Sequence, residues 1–281
     1  MKLIEREPVG IIFRTFATET SQVEERMGLV NQAIEKALGL SLEGKPVFKF
    51  IDILVPSNPL FPSVDCGLMA EEVSSAWSHE RRVRVHKTMG DIFCGTLNFG
   101  IGIQSESGVR YSLIASPDAH SYITQENVMS MLQQADKGAK IVGLAIHELR
   151  ESVFQGKVAN TFCLWHNRSL ITVGGFNLLS AEPENEKRSH YLEGTGEDGK
   201  PQYYKINGVE EVIPAALMVK TFKTCIAIVE PQGENQKYEI VSDPEIKKRH
   251  EAKMATKNIR QMELLSMVGL HQSILENGIV H

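Results

Sequence analysis

Three segments near the start of the chain constrain its fold most strongly. Val9-Gly-Ile-Ile-Phe13 is a short apolar run of the kind that forms a strand buried on both faces. From about Val23 to Leu38, the residues Val23, Met27, Val30, Ile34 and Leu38 recur at helical spacing. Ser21 can cap this helix and Gly39 closes it. Val47 to Val55 reads as a second strand, ended by Pro56, Asn58 and Pro59. Strand, helix and strand in that order open a parallel βαβ unit, so an α/β fold with a mixed, mainly parallel, Rossmann-like sheet flanked by helices is expected.

The rest of the chain continues the alternation. Met69 to Trp77 predicts a short helix, and Arg81 to Lys87 alternates charge with Val as an edge strand does. Its basic residues either protect that edge or form a cationic rim beside a nucleotide site. Asp91 to Ile103 predicts a helix carrying Gly95, Thr96, Gly100 and Gly102, where glycine costs about 1 kcal/mol per position relative to alanine, so close backbone packing is expected. Tyr111 to Ala115 is a buried strand that runs into Ser116-Pro-Asp-Ala-His120. This places Asp118 and His120 at the carboxyl end of a strand, where ligands bind in open α/β sheets. Thr124 caps a helix through Ala135, and Ala139 to Ile146 is a further strand. An apolar stretch from Asn160 to Trp165, a helix over His166 to Val173 and a Gly174-Gly175 turn follow. Ala181 to Lys200 is charged and turn-rich and reads as a mobile loop. Glu210 to Thr221 predicts a helix, Cys225 to Val229 a strand, and Asp243 to about Asn277 a long helical tail broken at Gly269.

Composition bounds the function. A chain of 281 residues with 42% hydrophobic and 23% charged residues is ordinary for a soluble globular protein and excludes collagenous or wholly disordered readings. The net charge of -5 and pI near 6.0 offer no footprint for nucleic acid or an anionic membrane. Cys66, Cys94, Cys163 and Cys225 are scattered without C-x-x-C spacing, as reduced buried thiols are. The first residues become charged too soon for a signal peptide, and no apolar run approaches the ~20 residues of a membrane span. The expectation is a cytoplasmic protein acting on a small molecule, with homo-oligomerisation left open.

Individually the chemical motifs are common. Asp-x-His after a strand, Gly-Gly-Phe, and Glu210-Glu211 at a helix start each have plain structural explanations. Their order is more specific. Gly95-Thr-Leu-Asn98-Phe-Gly100-Ile101, then Tyr111 to His120, Gly138-Ala-Lys-Ile-Val-Gly143, Asn160 to Trp165, Val173-Gly-Gly-Phe176 and Gly208-Val-Glu210-Glu211 follow one another along the chain. In that order the sequence resembles the nucleotide-sugar glycosyltransferases of the A-type fold, especially the large inverting family typified by polysaccharide synthases. The resemblance covers roughly residues 8 to 230.

What the resemblance implies is transfer of a sugar from a nucleotide-diphosphate donor to an acceptor hydroxyl. Asp118 corresponds to the first Asp of the family's D-x-D and His120 replaces the second, which implies a divalent cation, Mn²⁺ or Mg²⁺, held by an oxygen and an imidazole. Imidazole favours Mn²⁺. The family sometimes supplies a late histidine to the metal, for which His250 is the candidate. Glu211 or Glu210 stands where the family has its general base. Arg14, Thr15, Asp52, Asn98 and Ser116 are the implied nucleotide and sugar contacts, with Asp65 an alternative to Asp52. Trp165, Gly174 and Gly175 lie on the acceptor side. Glu197-Asp198, a literal E-D pair, sits in the polar loop before Gly199 and is set aside.

The expected layout is a nucleotide-sugar-binding domain over residues 1–230 with a helical extension over 231–281 packed on it. Two other activities are weighed beside glycosyl transfer. One is a non-catalytic nucleotide-sugar-binding descendant of the fold, and the other is a nucleotidyltransferase. Neither the sugar, the base nor the acceptor follows from the sequence.

Overall fold

The computed structural model describes residues 7–17, 20–57, 66–89, 94–146, 160–177, 191–195, 201–205, 209–223, 226–232, 257–271 and 273–280. The first strand, β1 (Val9–Arg14), leads through α1 (Val23–Gly39) and a small hairpin, β2 (Ser41–Leu42) and β3 (Lys45–Pro46), to β4 (Phe48–Ser57). Then come α2 (Cys66–Ala76), β5 (Val83–Met89), α3 (Cys94–Glu106) and β6 (Tyr111–Ala115). A 3-10 turn over Pro117–Tyr122 precedes α4 (Gln125–Asp136), β7 (Ile141–Leu144), β8 (Phe162–His166) and α5 (Asn167–Thr172). A second hairpin, β9 (Tyr191–Thr195) with β10 (Pro201–Lys205), is followed by α6 (Val212–Phe222) and β11 (Ile226–Val229). The last described elements are α7 (Lys257–Met267), α8 (Ser273–Glu276) and β12 (Ile279–Val280).

Among the described residues the main sheet has eight strands in the order β12-β11-β7-β8-β6-β1-β4-β5. All neighbours run parallel except β8, which is antiparallel to both β6 and β7. The protein is therefore an α/β fold with a mixed, mainly parallel sheet flanked by helices. From β1 the chain winds outward through β4 to β5, then returns through α3 to place β6 on the other side of β1. That reversal makes the carboxyl ends of β1 and β6 the topological switch point, where the first connections diverge and leave a crevice.

Side-chain alternation along the strands feeds two cores. Ile11, Phe13, Ile51 and Ile53 face one side, against Val30 and Ile34 of α1, Met69 and Val73 of α2, and Met131 of α4. Ile12, Leu54 and Ile114 face the other, against Leu97 and Ile101 of α3, Val212 and Met218 of α6, and Leu264 of α7. Each fully buried side chain of this size contributes about 1.5–3 kcal/mol relative to exposure. The glycine-bearing helix α3 is close to the sheet, as expected: a Cβ on Gly100 would lie 2.7 Å from Leu54 Cδ1.

Two segments differ from their sequence reading. Tyr191–Thr195, expected within a mobile loop, is a strand whose Leu192 pairs with Tyr204 of β10. The charged composition hid it, although Tyr203-Tyr204 carries the strand preference of aromatics. In the expected helical extension, Gly269 does break the helix, at φ +67°, but Ile279 then pairs with Ile226, so β12 extends the sheet itself. Leu265, Leu270 and Leu275 enter the second core. Cys66, Cys94 and Cys163 are buried and form no disulfide. Asp65, His147, His190, Glu197, Asp198, Cys225, His250 and the expected helical stretch over 243–256 lie outside the described residues.

Candidate functional site

A cavity of about 270 Å³ lies at the switch point, lined by Arg14, Thr15, Gln22, Arg26, Ser116 and Asp118 among others. Local backbone bonding fixes its walls. Thr15 N–H donates to the Leu54 carbonyl at 3.0 Å, carrying the β1–β4 ladder past Arg14. Ser116 N–H donates to the Thr161 carbonyl at 2.9 Å, carrying β6–β8 onward in the same way. Pro117 then turns the chain into the 3-10 segment that presents Asp118. The start of α1, next to Gln22, brings the positive end of that helix to the cavity.

Four of the expected nucleotide and metal residues, Arg14, Thr15, Ser116 and Asp118, therefore meet in one cavity. The residue missing from the sequence reading is Arg26. Its Nη1 donates to Asp118 Oδ1 at 2.8 Å and Oδ2 at 3.0 Å, while Ser116 Oγ donates to Oδ2 at 2.8 Å. Arg26 Nε is buried without a hydrogen-bond partner, and so is Thr15 Oγ1. The signal for Arg26 is weak: it is a lone arginine at the end of the first turn of α1, which Glu24 and Glu25 also occupy.

Arg14 also faces Glu210, with Nη2 3.6 Å from Oε1. Both Glu210 and Glu211 are buried, in the turn that opens α6. Glu210 thereby adjoins the cavity through Arg14. Glu211 lies nearer Cys163: burial pushes that thiol well above its ordinary value, and the Glu211 charge adds to the rise.

Five other expected contacts take up structural positions. Asp52 is fully buried and does not line the cavity. Arg84 Nε and Nη2 donate to its two oxygens at 2.7 and 2.8 Å, His86 Nε2 lies 2.8 Å from Oδ1, and Gln104 Nε2 donates to Oδ2 at 2.8 Å. Burial raises its pKa, but the hydrogen bonds from His86, Arg84 and Gln104 and the Arg84 charge outweigh that and hold the carboxyl below its ordinary range. Asn98 clasps the turn after α5, as its amide donates to the Phe176 carbonyl at 2.9 Å and its Oδ1 accepts from Phe176 N–H at 2.7 Å. Gly174 and Gly175 supply that turn with φ of +93° and +72°, and a Cβ on Gly175 would collide with the Asn98 amide. Trp165, expected to stack on a sugar, is 0% exposed, bonded through Nε1 to Asn160 and edge-on to Phe176. An indole sealed on all sides offers no face to a ligand.

The expected metal pair fares differently. Asp118 and His120 share the 3-10 turn, but both Asp118 oxygens are taken by a guanidinium and His120 Nδ1 lies 3.0 Å from the Pro117 carbonyl. Among the described residues no group of three His, Cys, Asp or Glu side chains could hold a metal ion. As built, this donor set does not fit a resident Mn²⁺ or Mg²⁺. Among the described residues no helix is long and apolar enough to cross a membrane.

No family model matches the chain, and no curated protein does. Among solved structures, 4-diphosphocytidyl-2C-methyl-D-erythritol synthase from Anaerococcus prevotii is similar over 89% of this chain and 97% of its own, at 9% identity and a TM-score of 0.47. A cytidylyltransferase from Leptospira borgpetersenii is similar over 97% of this chain and 98% of its own, at 12% identity and a TM-score of 0.47. A mannosyltransferase from Pyrobaculum calidifontis, solved with GDP-mannose and Mn²⁺, is similar over 62% of this chain and 48% of its own, at 13% identity and a TM-score of 0.38. Likenesses this distant carry no argument about chemistry, which rests on the cavity's own residues.

Proposed function

We propose that the cavity at the ends of β1 and β6 binds the diphosphate of a nucleotide sugar, and that the protein transfers the sugar to an acceptor hydroxyl. The observation that carries this reading is the meeting of Arg14, Thr15, Arg26 and Ser116 in one cavity at the switch point, with a buried carboxylate, Glu210, held beside it by Arg14. Its volume of about 270 Å³ suits the phosphate-bearing part of a donor, since sites enclosing whole drug-sized ligands run to about 300–1,000 Å³.

In the reaction, the bond between the sugar anomeric carbon and the diphosphate oxygen breaks, and its electron pair leaves with the nucleoside diphosphate. The acceptor oxygen forms the new bond to that carbon from the opposite face, which inverts the configuration. Its proton passes to a carboxylate. Glu210 is favoured as this base by its contact with a cavity-lining arginine, and Glu211, one residue on, is the alternative. Charge developing on the departing diphosphate meets the guanidinium groups of Arg14 and Arg26.

A second reading, a nucleotide-sugar binder without turnover, is favoured by the carboxylates of Asp118 and Glu210 each being held by an arginine. One experiment separates the readings. The purified protein is incubated with a panel of nucleotide sugars and acceptors, following thermal shift and release of nucleoside diphosphate, with nucleoside triphosphates as a parallel arm. Transfer requires a thermal shift with one donor and diphosphate release that Glu210→Gln suppresses. Shift without release supports the binder, and pyrophosphate release from a triphosphate identifies nucleotidyl transfer instead. Absence of any shift sinks all three.

A further inference from the structure

Resting on the reading that the cavity takes a nucleoside diphosphate, we infer that it does so without a divalent cation, with Arg26 and Arg14 supplying the positive charge. The motivating relationship is the Arg26–Asp118 pair. Nη1 of Arg26 bridges both Asp118 oxygens at 2.8 and 3.0 Å, so the guanidinium stands where a cation ligated by that carboxylate would stand. The side chains of Arg26 and Asp118 are 29% and 31% exposed, so the pair opens on the cavity and is not sealed in the core.

A divalent cation at this place would have to displace a guanidinium and then find further ligands. The protein offers few. Among the described residues no third His, Cys, Asp or Glu joins Asp118 and His120 in a group able to hold a metal. Hard cations take six or more oxygen ligands, so nearly the whole shell would fall to the diphosphate and water.

A guanidinium needs no such shell. It is always charged, and its planar fork matches two oxygens of a phosphate as well as two of a carboxylate. Asp118 holds one nitrogen of that fork, Nη1, at the cavity wall in the meantime, as a pre-positioning anion. Two polar atoms of the lining, Arg26 Nε and Thr15 Oγ1, are buried without a partner and can donate to an oxygen-rich group that settles against them. Arg14, tied to Glu210 on the other side, adds the second cation. The diphosphate then exchanges places with Asp118 as the partner of Arg26.

The two arrangements make opposite demands on Asp118. If it ligates a metal, removing its charge abolishes metal-dependent nucleotide binding. If it merely positions Arg26, removing its charge frees the guanidinium and takes a negative charge away from an incoming polyanion.

The test is titration calorimetry of the full chain with UDP, GDP and CDP, each in EDTA and each in excess Mn²⁺ or Mg²⁺. The diphosphate that binds should do so with affinities within about threefold in EDTA and in metal. Asp118→Asn should hold or raise that affinity, and Arg26→Ala should lower it by at least tenfold. Arg26→Lys, which keeps the charge and loses the fork, should fall between, and it also controls for a folding defect in the alanine variant. Binding that appears only with metal, or that Asp118→Asn abolishes, overturns the inference and leaves the nucleotide site standing. If no diphosphate binds under any condition, the site reading itself falls and the inference with it.

Discussion

Asn98 and Phe176, 78 positions apart, meet through two hydrogen bonds between one side-chain amide and one peptide backbone. The amide therefore ties α3 to the turn that follows α5. Asn98→Ala is expected to strand a carbonyl and an N–H at once, costing about 1–3 kcal/mol for each group left without a partner. Gly175→Ala should be as severe, because its φ of +72° is strained for alanine and its Cβ would collide with that amide. Urea midpoints of both variants check the expectation, and a double variant should fall short of the sum, since the two residues form one contact.

Asp52 predicts an acid limit to stability. Its carboxyl lies below the ordinary value of 3.8 in the folded protein, so the unfolded chain binds more protons at low pH. The contribution is complete above that ordinary value and is lost as pH falls through the lowered one. Asp52→Asn should cost about 1–3 kcal/mol near neutrality, because it removes the buried counter-charge and one of the two acceptor oxygens that Arg84 uses. The difference between variant and parent should shrink as denaturation is repeated at successively lower pH below 3.8.

His166 predicts a second dependence, at higher pH. Burial first, then the charges of Lys140, Arg110 and Arg168, lower its pKa from 6.5 to about 4. The unfolded histidine therefore takes up a proton that the folded one refuses, and stability declines as pH falls from about 6.5 toward 4. Nδ1 lies 2.8 Å from Ser169 Oγ and Nε2 accepts from Arg110 Nε at 3.1 Å, contacts that keep the neutral ring in place at the start of α5. In His166→Gln the slope of unfolding free energy against pH should flatten across that window, whatever the absolute loss.

Glu210 and Glu211 separate kinetically. Once a donor and acceptor are known, Glu210→Gln should lower kcat by about 10²–10⁴, the usual contribution of a general base, with a smaller effect on donor affinity. Glu211→Gln, beside Cys163, should act chiefly on stability. Single-turnover rates and melting temperatures of the two variants read this out, and equal losses of kcat would reject the assignment.

What the sequence made legible follows a physical division. Strand β1 and helix α1 were readable because Ile11 to Phe13, and Val30 with Ile34, are buried in a periodic pattern that local sequence displays. Asp118 was readable because Pro117 marks the end of β6, and strand ends hold ligands. Partners were not readable. Nothing near Arg26 announces Asp118, 92 positions away. The family resemblance implies a nucleotide contact for Asp52, whereas the side chain is bound by Arg84. Its opposition to Arg84 depends on the register of β4 against β5, which the two segments do not state separately. Trp165 was ambiguous for a similar reason, since an aromatic on an apolar strand faces core or cleft according to packing from α3 and Phe176.

The placement of β8 has a consequence for the order in which the molecule can be assembled. It lies between β6 and β7, both of which precede it in the chain, and β12 reaches back from Ile279 to pair with Ile226. Strands β5, β4, β1 and β6 can join as soon as residue 115 is available, each through a helical crossover to its neighbour or near neighbour. β7 has no strand to pair with until either β8 or β11 is in place, so the far half of the sheet waits for strands that come later in the chain, whereas β1 has β4 beside it after a single helical crossover. In pulse-labelled refolding, amides of Ile11 to Phe13 should be protected before those of Ile141 to Gly143, and the half of the sheet that carries Arg14 should mature first.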